Sequence, residues 1–109
     1  MRIEEDLLLP VVCNLDALTD PATHGSALTT WRAAVIATHE LPNGYEFELP
    51  GTNEMLATVA TFISNERECC PFFTFGIELA PKGTLRFRLT GPEGTRELLQ
   101  QGFGQRASR

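Results

Sequence analysis

A chain of 109 residues with 42% hydrophobic content and seven phenylalanines has room for one core, expected as a single domain over 1–109, and its composition excludes a disordered segment. Nine Lys+Arg against fourteen Asp+Glu leave a net charge of −5, which argues against a protein that neutralises phosphates, so no nucleic-acid partner is expected. Three cysteines cannot all pair within one chain, which argues against a disulfide-stapled secreted fold and for a reducing cytosol.

Residues 1–18 read as an extended N-terminal segment, apolar but aperiodic. Within it, Leu7-Leu8-Leu9-Pro10-Val11-Val12-Cys13 has the look of a short signal core ending at a lipid-modified cysteine. Glu4, Glu5 and Asp6 stand where export signals are basic, and no small residues precede Cys13. No stretch approaches the length of a membrane span, so the expectation is a cytoplasmic protein with no membrane partner.

Thr19-Asp20-Pro21 predicts a helix start, with Thr19 or Asp20 as cap and Pro21 in the first turn. Leu28, Trp31 and Val35 continue it at helical spacing, although Gly25-Ser26 is a place for it to break. A strand is expected from near Ala33 or Val35 to Glu40. Pro42-Asn43-Gly44 then turns the chain into Tyr45-Glu46-Phe47-Glu48-Leu49, which alternates as a half-buried strand. Pro50-Gly51 ends that hairpin, and Thr52 or Asn53 caps a helix running to about Cys69, where Pro71 stops it.

Phe73, Phe75, Ile77 and Leu79 alternate with Thr74, Gly76 and Glu78. After Pro81-Lys82-Gly83, Leu85, Phe87 and Leu89 alternate with Arg86, Arg88 and Thr90, making a second hairpin. Gly91-Pro92 leads into a short helix, Glu93 to Gln101, resting on Leu98 and Leu99; residues 102–109 read as a frayed tail. The expected fold is α+β: a two-layer sandwich of a four-stranded antiparallel sheet, built from two hairpins, with helices on one face in the order (α)ββαββα. The outer sheet face would carry Glu46 and Glu48 against Arg86 and Arg88. Solvated cross-strand pairing explains them, and an arginine-lined anion site is the alternative. That face could also join two copies as a homodimer.

Projected at about 100° per residue, Met55, Leu56, Val59, Phe62 and Ile63 form the buried stripe of the long helix. Glu66 falls about 20° from Val59, and Cys70 about 20° to the other side if the last turn stays helical. An ionised carboxylate among hydrophobes needs a partner, a proton or a wet cleft. The plain alternative has Glu66 reaching past the helix edge or pairing with Arg32 or Arg67. Cys69 and Cys70 are adjacent, and Pro71 could bend the chain to expose one thiol. Neighbouring thiolates suit soft ions such as Hg, As, Cu or Zn, with Cys13 as a third sulfur; His24 and His39 are possible nitrogen ligands without a recommending spacing. The chain lacks the knuckle of a structural zinc site, and free cysteines are also common as small buried hydrophobes. The negative end of the helix dipole, with Glu66 and Glu68, raises a thiol's pKa and favours metal capture over an activated nucleophile.

Cys13-x-Leu15, Trp31-Arg32, Leu41-Pro42-Asn43-Gly44-Tyr45, Glu66-x-x-Cys69-Cys70-Pro71-Phe72-Phe73-x-Phe75 and Thr90-Gly91-Pro92-Glu93 resemble a group of small bacterial proteins. Their core is Glu-x-x-Cys-Cys-Pro-Phe, and similar segments occur beside mercury- or other heavy-metal-resistance regulators. The resemblance implies that Cys13, Glu66, Cys69 and Cys70 belong together; it implies no particular activity.

The reading that follows is a cytoplasmic thiol-based binder of a soft metal or metalloid ion, through Cys13, Cys69 and Cys70 with Glu66 nearby. One alternative is a non-enzymatic ligand- or protein-interaction module with structural cysteines. Another is a small enzyme using Glu66 and Cys70 as its acid/base and nucleophile pair, which requires the two in hydrogen-bond contact within a cleft.

Overall fold

The computed structural model describes residues 11–101. Of the segment expected to be extended over 1–18, residues 1–10 lie outside the described residues, as does the expected frayed tail over 102–109, and Leu15–Ala17 is not extended but turns as a 3-10 helix capped by the Asn14 side chain. Among the described residues, this 3-10 turn precedes helix α1 (Pro21–Ala33), strands β1 (Ala37–Leu41) and β2 (Gly44–Pro50), helix α2 (Asn53–Cys69), strands β3 (Thr74–Leu79) and β4 (Thr84–Thr90), and helix α3 (Thr95–Leu99). The fold is α+β, with one antiparallel sheet in the order β1-β2-β4-β3.

Both long helices start at side-chain caps. The Asp20 carboxylate accepts from the Thr23 amide at 3.1 Å, and Pro21 opens α1, where its missing N–H costs nothing. Thr52 Oγ1 accepts from the Met55 amide at 3.0 Å and starts α2. Gly25-Ser26 does not break α1. The helix runs on to Ala33 and its last turn uses Ala34 and Val35, whose amides donate to Trp31 and Arg32 carbonyls. That turn is why β1 begins at Ala37, two or more residues later than the apolar run suggests.

Tyr45, Phe47 and Leu49 of β2 share a face with Leu85, Phe87 and Leu89 of β4, in direct register. Trp31 of α1 packs against Phe47 and Phe87 from above, and Phe62 of α2 meets both Trp31 and Phe87. Burying each such aromatic contributes about 1.5–3 kcal/mol. Their exclusion from water is what lays α1 and α2 on one face of the sheet. Phe75, Ile77 and Leu79 point to the same face from β3, opposite Leu89, Phe87 and Leu85. Because β3 is an edge strand, Ile77 and Leu79 remain 38% and 47% exposed despite their alternation.

Tight approach explains the first hairpin's glycine: a Cβ at Gly44 would run into the Leu89 carbonyl of the neighbouring strand. The last helix is shorter than its apolar pattern suggests. Gly94, at φ 98°, completes a turn before it, so regular helix begins at Thr95 rather than Glu93.

On the outer face, Arg88 Nε donates to Glu46 Oε1 at 2.8 Å and its Nη2 to Glu78 Oε1 at 2.9 Å. Arg86 lies 3.7 Å from Glu46, and His39 meets Glu48 at 2.8 Å. The arginines are matched to carboxylates across the strands, so the face is an ion-pair mosaic and not the anion site weighed from sequence. No helix among the described residues is long and apolar enough to cross a membrane.

Candidate functional site

The site forms where α2 ends. Met55, Val59, Phe62, Glu66 and Cys69 are the buried residues of this helix, a stripe at spacings of three and four. Glu66 is therefore a core residue, 3% exposed, as its projection among hydrophobes predicts. Its partner is not Arg32 or Arg67. His24, on the facing side of α1, shares a hydrogen bond between its Nε2 and Glu66 Oε1 at 2.6 Å. The imidazole is itself held by stacking on Phe62, with ring centroids 5.3 Å apart.

Cys69 occupies the next buried position, one turn beyond Glu66. Its Sγ donates to the same Glu66 Oε1 at 3.6 Å. After Cys69 the backbone leaves the helix: Cys70 has φ −131° and ψ 74°, although its amide still donates to the Glu66 carbonyl. This change of direction lets two adjacent side chains enter one space, which a continuous helix would forbid. Both cysteines are only 1% exposed, so the bend at Pro71 does not present a thiol to solvent, contrary to one sequence-based expectation.

Cys13 and Cys70 form a disulfide. Its partner segment is also pinned by backbone, since the Asn14 amide donates to the Cys69 carbonyl at 2.8 Å. Glu68 adds a second tie, accepting from the Thr19 amide and hydroxyl at 2.9 and 3.0 Å. The odd cysteine count thus resolves as one pair plus one thiol, Cys69, whose Sγ lies 3.4 Å from that of Cys70. Cys13, Glu66, Cys69 and Cys70 are indeed brought together, with the qualification that two of the sulfurs are bonded to each other in this form.

Burial pushes the Glu66 carboxyl above its usual pKa, and the His24 hydrogen bond works against that rise. Burial and the neighbouring Glu66 charge push the Cys69 thiol up to about 12. At neutral pH this sulfur keeps its proton unless a cation takes the proton's place. The contact needed for the enzyme reading is not the one formed. The sulfur on the carboxylate belongs to Cys69, while Cys70 is tied to Cys13. A cleft of about 850 Å³ does lie beyond Pro71 and Phe72, bounded by Thr74, Pro92, Glu93 and Arg96 among others, but no cysteine lines it.

His24 is the residue that sequence reasoning named without placing. A signal for it exists: His24, Ala27, Leu28 and Trp31 stand at i, i+3, i+4 and i+7, the inward stripe of α1. His39, the other nitrogen candidate, is on the outer sheet face with Glu48, far in function from the sulfurs.

Comparison with family models, with curated proteins and with solved structures finds no match to this chain.

Proposed function

We propose that the protein is a thiol-based binder of a soft metal or metalloid ion, using Cys13, Cys69 and Cys70 with Glu66 beside them. The observation that carries this reading is the gathering of all three sulfurs at the end of α2: Cys69 Sγ is 3.4 Å from Cys70 Sγ, and Cys70 is bonded to Cys13. Residues that meet in a disulfide are close enough to share one ion once the bond opens. In a reducing cytoplasm two molecules of a small thiol would open it, becoming a disulfide themselves and leaving Cys13 and Cys70 as thiols.

Three thiolates around one ion is a donor set for Hg(II), As(III), Cu(I) or Zn(II). A thiol held protonated by burial and by the neighbouring carboxylate is a poor nucleophile at neutral pH, yet a cation that displaces the proton relieves the repulsion with Glu66.

The test is titration of the reduced protein with Hg(II), As(III), Cu(I) and Zn(II), followed by native mass measurement. One ion per chain is expected, with As(III) replacing three protons and each Cys→Ser variant losing the complex or weakening it. Absence of a thiol-dependent complex with all four ions would overturn the reading. The interaction-module alternative has its own favouring observation, the near-complete burial of Cys69 and Cys70. It predicts that Cys69→Ser with Cys70→Ser lowers stability and changes no ion binding, so the same titration separates the two.

A further inference from the structure

We propose that His24, Glu66 and Cys69 form a mixed nitrogen–oxygen–sulfur site for a borderline divalent ion such as Zn(II) or Co(II), complete while the Cys13–Cys70 disulfide is closed. This goes beyond the three-sulfur reading. It shares Glu66 and Cys69 with that reading but adds a histidine and needs no reduction.

Geometry is the first support. One ligand atom from each of the three residues lies within 4.8 Å of the others, and all three residues are buried. Zinc bonds of about 2.1 Å to oxygen and 2.3 Å to sulfur give a tetrahedral oxygen–sulfur edge of about 3.6 Å. The Glu66 Oε1 to Cys69 Sγ separation is 3.6 Å. The nitrogen–oxygen edge of such a tetrahedron is about 3.4 Å, so the 2.6 Å hydrogen bond between His24 and Glu66 opens by roughly 0.8 Å as the ion enters. A shift of that size is within the reach of side-chain rotation.

Charge is the second support. A dication bound by one carboxylate, one thiolate and one neutral imidazole is a neutral assembly, the state that a poorly solvated pocket favours. The protons balance simply. Cys69 gives up its thiol proton on forming the metal–sulfur bond, and the neutral imidazole carries its single proton on Nδ1, so that the Nε2 lone pair is free for the ion. One proton is released per ion when Glu66 is already ionised, and two when Glu66 still holds its own. His24, 8% exposed, is the least buried of the three and gives the solvent-side edge of the site.

The donor set is also more than packing requires. A buried polar pair can be replaced by apolar side chains of similar volume with little loss of stability or a gain. His24 already stacks on Phe62 as an aromatic would, so its nitrogen is the part that a phenylalanine could not supply.

The experiment is Co(II) titration of the full chain purified without reductant, its disulfide verified by mass. The expected result is one bound ion, with the visible absorption of tetrahedral cobalt, a water on the His24 side taking the fourth position, and a near-ultraviolet sulfur-to-cobalt band. Cys69→Ser removes the sulfur band. His24→Phe, which keeps the stack on Phe62, weakens binding at least tenfold. The double variant Cys13→Ser, Cys70→Ser retains the band, because Cys69 is then the sole described thiol. Lack of the sulfur band in the oxidised protein, its loss in that double variant, or unchanged affinity in His24→Phe would each overturn the assignment. Failure of the reduced protein to take up Hg(II) or As(III) would sink the three-sulfur reading and leave this one standing.

Discussion

Two regions of this molecule use the same chemistry in opposite surroundings. On the outer face of the sheet, Arg88 bridges Glu46 and Glu78 across three strands in contact with water. At the end of α2, Glu66 meets His24 and Cys69 in the core. The outer contacts are short and well formed, yet solvent screens them and either partner can return to water at little cost. The inner carboxylate has no such refuge, so every atom it touches matters. Distance alone does not rank the two regions; burial does.

The largest effect is expected at the inner carboxylate. Glu66→Ala leaves the His24 nitrogen without an acceptor in a buried site, and a loss of about 3–5 kcal/mol is expected by urea or thermal unfolding. The paired substitution Glu66→Leu with His24→Phe should recover most of that loss while ending any role in metal binding. A double change as damaging as the single one would mean that the pair is needed for the fold itself. The same site predicts a pH dependence. Because burial raises the Glu66 pKa, the folded state holds a proton that the unfolded chain has already released, so this residue's contribution is largest at low pH. The stability difference between the wild type and Glu66→Gln should therefore shift against the wild type as pH rises from the ordinary value of about 4.5.

Next in size is the disulfide, which closes a sequence separation of 57 residues. Cys13→Ala with Cys70→Ala is expected to lower stability by about 2–4 kcal/mol relative to the oxidised protein, chiefly through the freedom regained by the unfolded chain. Cys69 is not part of that loop, so Cys69→Ala should fall well below this value. The smallest effect belongs to the outer face. Glu46→Ala should cost about 1 kcal/mol or less, and the cost should shrink in high salt. A salt-independent loss of several kcal/mol there would erase the contrast between the regions.

Much of the frame was legible because its periodicities are local. The helix over Asn53–Cys69 follows from its Thr52 cap, its stripe and Pro71, and that stripe placed Glu66 in the core. The two hairpins follow from alternation and turn residues. What sequence could not supply was long-range choice. Three cysteines allow three pairings, and nothing in their spacing selects Cys13 with Cys70. Glu66 has Arg67 beside it in sequence, but its partner is His24, 42 residues away, brought there by the packing of α1 on α2. The projection also favoured Cys70 as the sulfur near Glu66, because it assumed one more residue of regular helix; the helix ends at Cys69, and Cys69 takes that place. On β3, alternation announced a buried face, whereas the strand order left Ile77 and Leu79 at an open edge.

The central claim is that the three sulfurs at the end of α2 act on one ion. X-ray absorption at the metal edge of the reduced protein loaded with a single equivalent of Hg(II) or As(III) tests it most directly, since it counts sulfur neighbours. The account predicts three sulfurs around the ion, falling to two in each of Cys13→Ser, Cys69→Ser and Cys70→Ser. A shell of light atoms only, or a sulfur count unchanged by those substitutions, would contradict it.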